Sequence, residues 1–252
     1  MSVAITAQAA RLAELLRDAD RAVVLTGAGV SVPSGIPDFR SPGTGLWENV
    51  DPMAVAHISV WRREPERFWS FYGQRFATLE GKQPNGAHRA LAELGVPVIT
   101  QNIDGLHAAA GSRDVIEIHG SIATASCQVD GRRYSLAETR ARVEAAADGV
   151  PRCDCGEPLK PDVTLFGEML DEGAMTRASA LAVGADLMLC VGSSLEVYPA
   201  AGLPELALQA GGRIAVITKS STPFDRAAVV RLGGDVEAEM RALLEALANP
   251  WH

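Results

Sequence analysis

The chain has 252 residues, of which 47% are hydrophobic and 5% aromatic, enough to bury one large α/β core with or without a smaller module. Because aromatic residues are sparse, Ala, Val, Leu and Ile must build that core, as is typical of helices packed on a parallel sheet rather than of a β-sandwich. The 31 acidic and 23 basic residues give a net charge of −8, which argues against nucleic acid as a main partner.

The first 20 residues predict an amphipathic helix rather than a signal peptide, because Glu14, Asp18 and Asp20 interrupt the apolar positions. No apolar stretch approaches the length that spans a bilayer, so we expect no membrane partner. Three of the four cysteines lie close together in the sequence, which indicates a metal site or free thiols in a reducing compartment. We therefore expect a cytoplasmic protein.

Apolar runs rich in β-branched residues predict parallel strands. They lie at 22–26, 97–100, 115–118, 163–166, 186–191 and 213–218. Segments with helical periodicity lie beside or between them, at 5–18, 65–79, 85–94, 136–147, 172–183, 200–210 and 236–248. This alternation predicts an α/β fold with a doubly wound, Rossmann-like parallel sheet, in which ligands bind at the carboxyl ends of the strands.

Two stretches interrupt the alternation and predict a smaller inserted module. Residues 40–64 contain no clear strand, and residues 121–160 hold three cysteines with only weak periodicity. We expect the two to pack together.

The loop after the first strand reads GAGVSVPSGIPDFR at 27–40. Gly27 and Gly29 let the backbone turn tightly and present N–H groups to phosphate, although a plain tight turn has the same signature. The dinucleotide fingerprint is incomplete, because Val32 stands where its third glycine belongs. The segment 37–40 then displays an acid, an aromatic ring and a cation, unless its Asp and Arg merely pair with each other.

Other predicted strands also run into polar or glycine-containing loops. These are QNIDGLH at 101–107, HG at 119–120, GE at 167–168 and GSSLEVYP at 192–199. Such loops at the end of nearly every strand are typical of a cleft that holds an extended polar cofactor.

Several long motifs, which follow one another in the same order, are similar to those of bacterial sirtuins. The sirtuins are the NAD-dependent protein lysine deacylases. They are GAGVSVPSGIPDFR at 27–40, TQNID at 100–104, HG at 119–120, LKPDVTLFGE at 159–168 and GSSLEVYPAA at 192–201. The resemblance implies a Rossmann-like NAD-binding domain formed by 1–39, 80–120 and 161–252. It also implies a smaller zinc-binding and helical module formed by 40–79 and 121–160.

The resemblance assigns an NAD site and a catalytic pair, His119 and Asn102. Its NAD residues are Gly27, Ala28, Gly29, Asp38, Phe39, Arg40, Gln101, Asn102, Ile103, Asp104, Gly192, Ser193, Ser194 and Thr218. Thr218 stands where the family commonly has an Asn that contacts the adenosine ribose.

His119 has a near-neutral pKa range suited to a general base, although a lone His at a strand end is often only a structural hydrogen bonder. By resemblance, the acyl oxygen of a modified lysine attacks C1′ of the nicotinamide ribose, and His119 then takes a proton from the ribose hydroxyls. The acyl group ends on ADP-ribose. The acyl-lysine peptide pairs as a strand between the two segments that contain Val163, Phe166, Gly167, Glu168, Val197 and Tyr198.

The family usually binds structural zinc with two Cys-x-x-Cys pairs, and this chain departs from that pattern. The ligands here would be Cys127, Asp130, Cys153 and Cys155, a set that is chemically possible because a carboxylate oxygen also binds zinc. A metal-free module held by packing is the alternative. Cys190 lies inside a predicted strand and is expected to be a buried apolar residue.

Tyr72 and Arg75 reproduce the Tyr-x-x-Arg pair of the sirtuin branch that removes succinyl and malonyl groups, and Ala56 lies about where that branch keeps a small residue. An ordinary amphipathic helix is the alternative, and the rest of the chain is closer to the bacterial deacetylases. Mono-ADP-ribosyl transfer, NAD hydrolysis and non-catalytic NAD binding also compete as functions. The sequence leaves the oligomeric state open.

Overall fold

Short strands separated by helices follow one another along the chain. The computed structural model describes residues 7–39, 43, 45, 50–79 and 81–249. The strands are β1 (Ala22–Thr26), β2 (Val98–Thr100), β3 (Val115–Glu117), β4 (Gly120–Cys127), β5 (Arg133–Ser135), β6 (Leu159–Val163), β7 (Leu187–Val191), β8 (Arg213–Ile217) and β9 (Val230–Leu232). The helices are α1 (Ala7–Arg17), α2 (Pro52–Val55), α3 (Ile58–Arg63), α4 (Pro65–Leu79), α5 (Gly86–Leu94), α6 (Leu106–Ala109), α7 (Leu136–Ala145), α8 (Glu172–Gly184), α9 (Leu203–Gln209) and α10 (Val236–Ala248).

Six strands form one parallel sheet in the order β3-β2-β1-β7-β8-β9. This is the doubly wound arrangement that the alternation of elements predicts. The strand order reverses between β1 and β7, and at such a switch point a crevice opens beyond the carboxyl ends of the strands. Five of the six predicted parallel strands lie in this sheet, with bounds that differ by a residue at some ends.

Helices cover both faces of the sheet, because its strands are apolar on both sides. Val24 packs in a core with residues of α1, α5 and α10. Its neighbours Val23 and Leu25 pack on the opposite face, with residues of α8 and α9. Since successive side chains of a strand point to opposite faces, this alternation accounts for the unbroken apolar run of β1.

A second, antiparallel sheet has the order β5-β4-β6. It shares a third core with residues of α3 and α4, in which Phe68 and Trp69 are almost fully buried. The indole N–H of Trp69 donates to the Leu159 carbonyl at 3.1 Å, which ties α4 to β6.

The predicted strand at 163–166 was wrong in position and in sheet. The observed strand, β6, ends at Val163 and pairs antiparallel with β4 rather than joining the parallel sheet. Beyond it, the Thr164 amide donates to the His119 carbonyl at 2.8 Å and the Phe166 amide to the Ala56 carbonyl at 3.1 Å. An apolar run in a sequence indicates that its residues are buried, but it does not indicate which segment pairs with their backbone. Here the apolar run continues beyond the end of the strand.

Within the described ranges, no helix combines the length and apolarity needed to cross a membrane.

Candidate active site

A cavity of about 620 Å³ opens at the carboxyl ends of the central strands. Its walls come from the loops after β1, β2 and β7 and from residues 163–170, which follow β6. The predicted residues that line it are Gly27, Ala28, Gly29, Asp38, Phe39, Tyr72, Arg75, Gln101, Asn102, Ile103, Asp104, His119, Val163, Phe166, Gly167, Glu168, Gly192, Ser193, Ser194, Val197, Tyr198 and Thr218. Arg40, predicted in the same site, lies outside the described residues. The fold therefore gathers the remaining predicted cofactor, catalytic and substrate residues around one space.

Two glycines let the loops after β1 and β7 cross in direct contact. The Gly29 amide donates to the Gly192 carbonyl at 2.8 Å. A Cβ atom on Gly192 would lie 2.3 Å from the Val30 nitrogen, and Gly192 has a φ of 63°, which L side chains rarely adopt. Glycine is therefore required at 192 for both space and backbone conformation.

Asn102 is held by the loop that follows β1. Its Nδ2 donates to the Gly27 carbonyl at 3.2 Å and to Ser31 Oγ at 3.0 Å. The Ser31 hydroxyl in turn donates to Asp104 Oδ2 at 2.6 Å. Both hydrogens of the Asn102 amide are thus used, and its oxygen is the polar atom that remains for a ligand.

His119 has a defined tautomer. Its Nδ1 lies 2.8 Å from the Gln101 carbonyl oxygen, and since a carbonyl only accepts, Nδ1 carries the hydrogen. Burial lowers the pKa of His119, an effect that the hydrogen bond to Gln101 partly opposes. The side chain therefore lines the cavity as a neutral imidazole whose Nε2 is basic.

A pair of buried histidines lies next to this network, and the sequence did not predict it. The backbone N–H of Asn85 donates to His88 Nδ1 at 3.3 Å, so Nδ1 is the acceptor and the hydrogen of the neutral ring is on Nε2. This Nε2 lies 3.4 Å from Ser31 Oγ. His107 Nε2 lies 2.9 Å from Thr26 Oγ1, while its Nδ1 finds no hydrogen-bond partner in the described part of the chain. Burial lowers the pKa of each imidazole to about 4.

Tyr72 and Arg75 enter the cavity from α4. The Tyr72 ring stacks on Phe68, with centroids 4.4 Å apart, and burial raises the pKa of its phenol to about 12. Arg75 places its guanidinium carbon 5.3 Å from the centre of the Phe39 ring, and burial lowers its pKa. No carboxylate in the described ranges forms an ion pair with Arg75, although the charge of Asp104 in the same cavity partly opposes the effect of burial on its pKa. Ala56, the predicted small residue, also lines the cavity.

The four predicted metal ligands lie together, with their ligand atoms within 4.8 Å of one another. Cys127 Sγ lies 3.6 Å from Cys155 Sγ, and Cys153 Sγ lies 3.2 Å from Asp130 Oδ2. A tetrahedral zinc ion with ordinary ligand distances separates its ligand atoms by about 3.5–3.8 Å. The Arg132 amide donates to Asp130 Oδ1 at 3.0 Å, which leaves Oδ2 directed at the thiols. The residues therefore fit a four-coordinate ion.

Other expectations concern single residues. Cys190 is fully buried in β7, as predicted, and burial raises the pKa of its thiol to about 12. Thr218 lines the cavity, and its backbone amide donates to the Leu232 carbonyl at 3.0 Å.

Cavity residues that the sequence analysis did not single out include Ser31, Thr164, Leu165, Met169 and Glu196. Their position in the sequence could have identified them as cavity residues, since each lies inside or directly beside one of the quoted motifs.

Comparison with known proteins finds relatives that match most of this chain. The Sir2 family matches residues 27–199. An NAD-dependent protein deacetylase from Sulfolobus acidocaldarius is 44% identical over 223 residues, covering 86% of this chain and 86% of that protein. An NAD-dependent protein deacylase from Thermus thermophilus is 41% identical over 219 residues, covering 83% of each.

Solved structures agree with the sequence relatives. A Sir2 protein with a p53 peptide and NAD+ superposes with a TM-score of 0.86 at 37% identity, covering 93% of this chain and 96% of that one. Sir2Tm bound to a propionylated peptide gives a TM-score of 0.85 at 36% identity, with the same coverage. By the family match and by the identity and coverage of these relatives, the chain belongs to the Sir2 family, the sirtuins.

Proposed function

We propose that this protein is an NAD-dependent protein lysine deacylase, which converts acyl-lysine, NAD and one water into free lysine, nicotinamide and ADP-ribose that carries the acyl group. The observation that carries the proposal is the hydrogen bond of His119 Nδ1 to the Gln101 carbonyl, 2.8 Å long, inside the cavity. It supplies a neutral imidazole of fixed tautomer among the residues that the family resemblance assigns to NAD. The relatives named as NAD-dependent deacetylase and deacylase support the same reaction.

The residues of this chain divide the work between binding and proton transfer. The loops that contain Gly29 and Gly192 line the cavity side by side and leave room there for the cofactor. Contrary to the expectation from the sequence, the Gly27 and Gly29 amides do not face phosphate, because they donate to the Val191 and Gly192 carbonyls at 3.1 and 2.8 Å. Asn102, with its Nδ2 already bonded, orients its amide oxygen for a ligand. NAD, when bound, supplies the bond to nicotinamide that breaks and the ribose that receives the acyl group. His119 accepts a proton at Nε2 during this transfer, because Nδ1 already carries a hydrogen.

The acyl-lysine peptide binds between two segments at the cavity mouth, one containing Val163, Phe166, Gly167 and Glu168 and the other Val197 and Tyr198. Phe166 is 41% exposed and Tyr198 70% exposed, so apolar surface is available to a peptide at the entrance. The solved relative with a propionylated peptide supports a peptide substrate. Main-chain pairing would accept many sequences while the cavity selects the acyl-lysine.

Zinc has a structural role in this proposal. The ligand atoms of Cys127, Asp130, Cys153 and Cys155 would hold the ion and cross-link β4 to the segment before β6. None of the four lines the cavity. The same proposal assigns 40–79 and 121–160 to the small module and the rest of the chain to the NAD-binding domain. The four free thiols are in keeping with a cytoplasmic location.

A second candidate activity, removal of succinyl or malonyl groups, is favoured by Arg75. Its buried guanidinium faces the cavity and, among the described residues, forms no ion pair with a carboxylate. A carboxylate at the end of the acyl chain would provide the missing counter-ion, with the Tyr72 hydroxyl as a second donor. Acetyl-lysine lacks that carboxylate, so the ratio of the two activities reports how Arg75 is used.

The test is nicotinamide release from NAD by the purified protein, with matched acetyl-lysine, succinyl-lysine and unmodified peptides. We expect release that requires an acylated peptide. Release at the same rate without peptide would instead support NAD hydrolysis or mono-ADP-ribosyl transfer, which break the same bond with another acceptor. NAD binding with no release in any arm would indicate a non-catalytic NAD-binding protein.

A further inference from the structure

Lys160 is a buried lysine for which the reaction chemistry above gives no role. The chain has three lysines, at 82, 160 and 219, and only this one is buried, with 8% of its surface exposed. Its ammonium donates to the Val163 carbonyl at 2.9 Å and the Pro161 carbonyl at 3.2 Å, and it forms an ion pair of 2.9 Å with Glu168. All three donors of the ammonium are therefore used inside the protein.

Glu168 closes a turn through the same carboxylate. Its Oε2 accepts the Leu165 amide at 2.9 Å, and its own amide donates to the Leu165 carbonyl at 3.0 Å. Between them, Gly167 has a φ of 82° and packs against His57, whose Nε2 would lie 2.5 Å from any Cβ at this position. The turn 165–168 is thus held by the Glu168 carboxylate, and it packs against His57 at a position where only glycine leaves enough space.

The braced segment is continuous with the catalytic strand end. Val163, whose carbonyl Lys160 holds, precedes Thr164, and the Thr164 amide donates to the His119 carbonyl at 2.8 Å. Residues 163–168 also form the wall of the cavity opposite the loops after β1 and β7. Lys160 therefore contacts this wall from behind, through Val163 and Glu168, without itself lining the cavity.

We propose that Lys160 is a positioning residue for the acyl-lysine substrate, which sets the shape of the wall 163–168 through Val163 and Glu168. This inference rests on the proposed function, because it assumes that the peptide binds along this wall. Removing the ammonium leaves a partly buried carboxylate without its counter-ion, and such a group turns toward water or gives up its other contacts. The Leu165 amide then loses its acceptor, and the turn loosens.

The expected defect is selective for the peptide. The wall 163–168 carries the predicted peptide contacts, whereas the predicted NAD contacts come mostly from the loops after β1, β2 and β7. Loss of Lys160 should therefore raise the KM for acyl-lysine peptide and leave the Kd for NAD unchanged. A general loss of stability would weaken both.

The experiment compares Lys160→Met with Lys160→Arg, which restores a cation, and with Arg177→Met, which breaks an exposed ion pair to Asp114. Backbone amide exchange in residues 163–168 is measured without ligands, the Kd for NAD is measured by titration, and the KM for acetyl-lysine peptide is measured from the rate of nicotinamide release. In Lys160→Met we expect exchange at Leu165 and KM for peptide to rise by about tenfold or more, with NAD affinity within about twofold. Lys160→Arg should recover most of the loss, and Arg177→Met should match the wild type.

Unchanged amide exchange at 163–168 in a folded Lys160→Met protein would overturn the inference, as would a parallel loss of peptide and NAD affinity. If Lys160→Met does not fold, Glu168→Gln tests the same brace from its other end: it removes the charge that pairs with Lys160 but keeps an oxygen that can accept the Leu165 amide, and the same rise in exchange at Leu165 is expected. Failure of the proposed function is distinguishable, because it shows in the wild type as absence of acyl-dependent nicotinamide release. The amide exchange needs no substrate and still decides whether Lys160 braces the wall.

Discussion

His88 and His107 pack edge to face under the cavity, with ring centroids 4.9 Å apart and an interplanar angle of 64°. Each is almost completely buried, and each has a ring nitrogen within hydrogen-bond distance of a hydroxyl in the loop or strand that leads to the site. Two charged imidazolium rings could not be held this close without water, so at most one can be charged, and burial lowers the pKa of each to about 4, which keeps both neutral at pH 7.

This histidine pair should make the protein sensitive to acid. The folded pKa of each is about 4, below the unfolded value of about 6.5, so between these values the unfolded chain binds protons that the folded chain does not. The free energy of unfolding therefore falls as the pH falls through this window, by about 2 kcal/mol per histidine at pH 5. Urea unfolding at pH 7.5 and pH 5 measures the drop.

His107→Gln isolates the contribution of one ring. The variant loses packing at every pH, but its drop in stability between pH 7.5 and pH 5 should be smaller than that of the wild type by about 2 kcal/mol. An equal drop in both proteins would mean that His107 is not the group that titrates.

Arg75 should select for acyl chains that end in a carboxylate. Replacing Arg75 by Met removes a charge-assisted hydrogen bond worth about 2 kcal/mol, so kcat/KM for succinyl-lysine peptide should fall by about 30-fold. The value for acetyl-lysine peptide should stay within about threefold of the wild type. Tyr72→Phe, which removes a single hydroxyl, should give a smaller loss in the same direction. An equal fall for both peptides would assign Arg75 a structural role.

Asp130 should be the ligand that weakens the metal site. In Asp130→Ala we expect zinc affinity to fall by about tenfold or more, and in Asp130→Cys, which completes four thiolates, we expect it to rise. Zinc content after dialysis against a graded series of chelator concentrations measures both changes. Equal retention in all three proteins would show that the carboxylate does not bind the ion.

Gly192→Ala should separate backbone strain from cofactor binding. Gly192 and Gly95 both have positive φ, 63° and 69°, but a Cβ has a neighbour within 4 Å only at Gly192. Alanine should cost about 1 kcal/mol of stability at either position through its backbone conformation, and more than that at Gly192, where the Cβ would overlap the Val30 nitrogen. Only Gly192→Ala should also lose NAD binding, because it forces apart the loops after β1 and β7. Normal NAD affinity in that variant, measured by calorimetry, would contradict the proposed cofactor site.

Five strands of the parallel sheet were predictable because they are apolar on both faces, as in Leu187–Val191. The sixth, Val230–Leu232, was not, because it has three residues with an Arg at its centre. The strands β4 and β5 were not predicted either, since Gly120–Cys127 mixes small, polar and apolar residues and Arg133–Ser135 has three residues, two of them polar. The helices Pro52–Val55 and Ile58–Arg63 are too short to show a period.

The residues of the site could be predicted where they belong to a sequence motif. Contacts that depend on the packing of separate elements could not be predicted. Asn102 and His119 lie in quoted motifs at strand ends, so their neighbourhood follows from the order of the strands. The contact of His88 with His107 joins α5 to α6, and that of Lys160 with Glu168 joins β6 to a turn. The two histidines lie in no quoted motif, and although Lys160 and Glu168 lie in the motif at 159–168, their contact depends on how the chain turns after β6.

The most direct test of the proposed reaction is a mass balance by mass spectrometry, with NAD and acetyl-lysine peptide, for the wild type and His119→Ala. We expect the wild type to form nicotinamide, deacetylated peptide and acetyl-ADP-ribose in equal amounts. The variant should lose about 100-fold or more in rate while its NAD affinity is retained. Free ADP-ribose formed with the acetyl group still on the peptide, or full activity in the variant, would contradict acyl transfer assisted by His119.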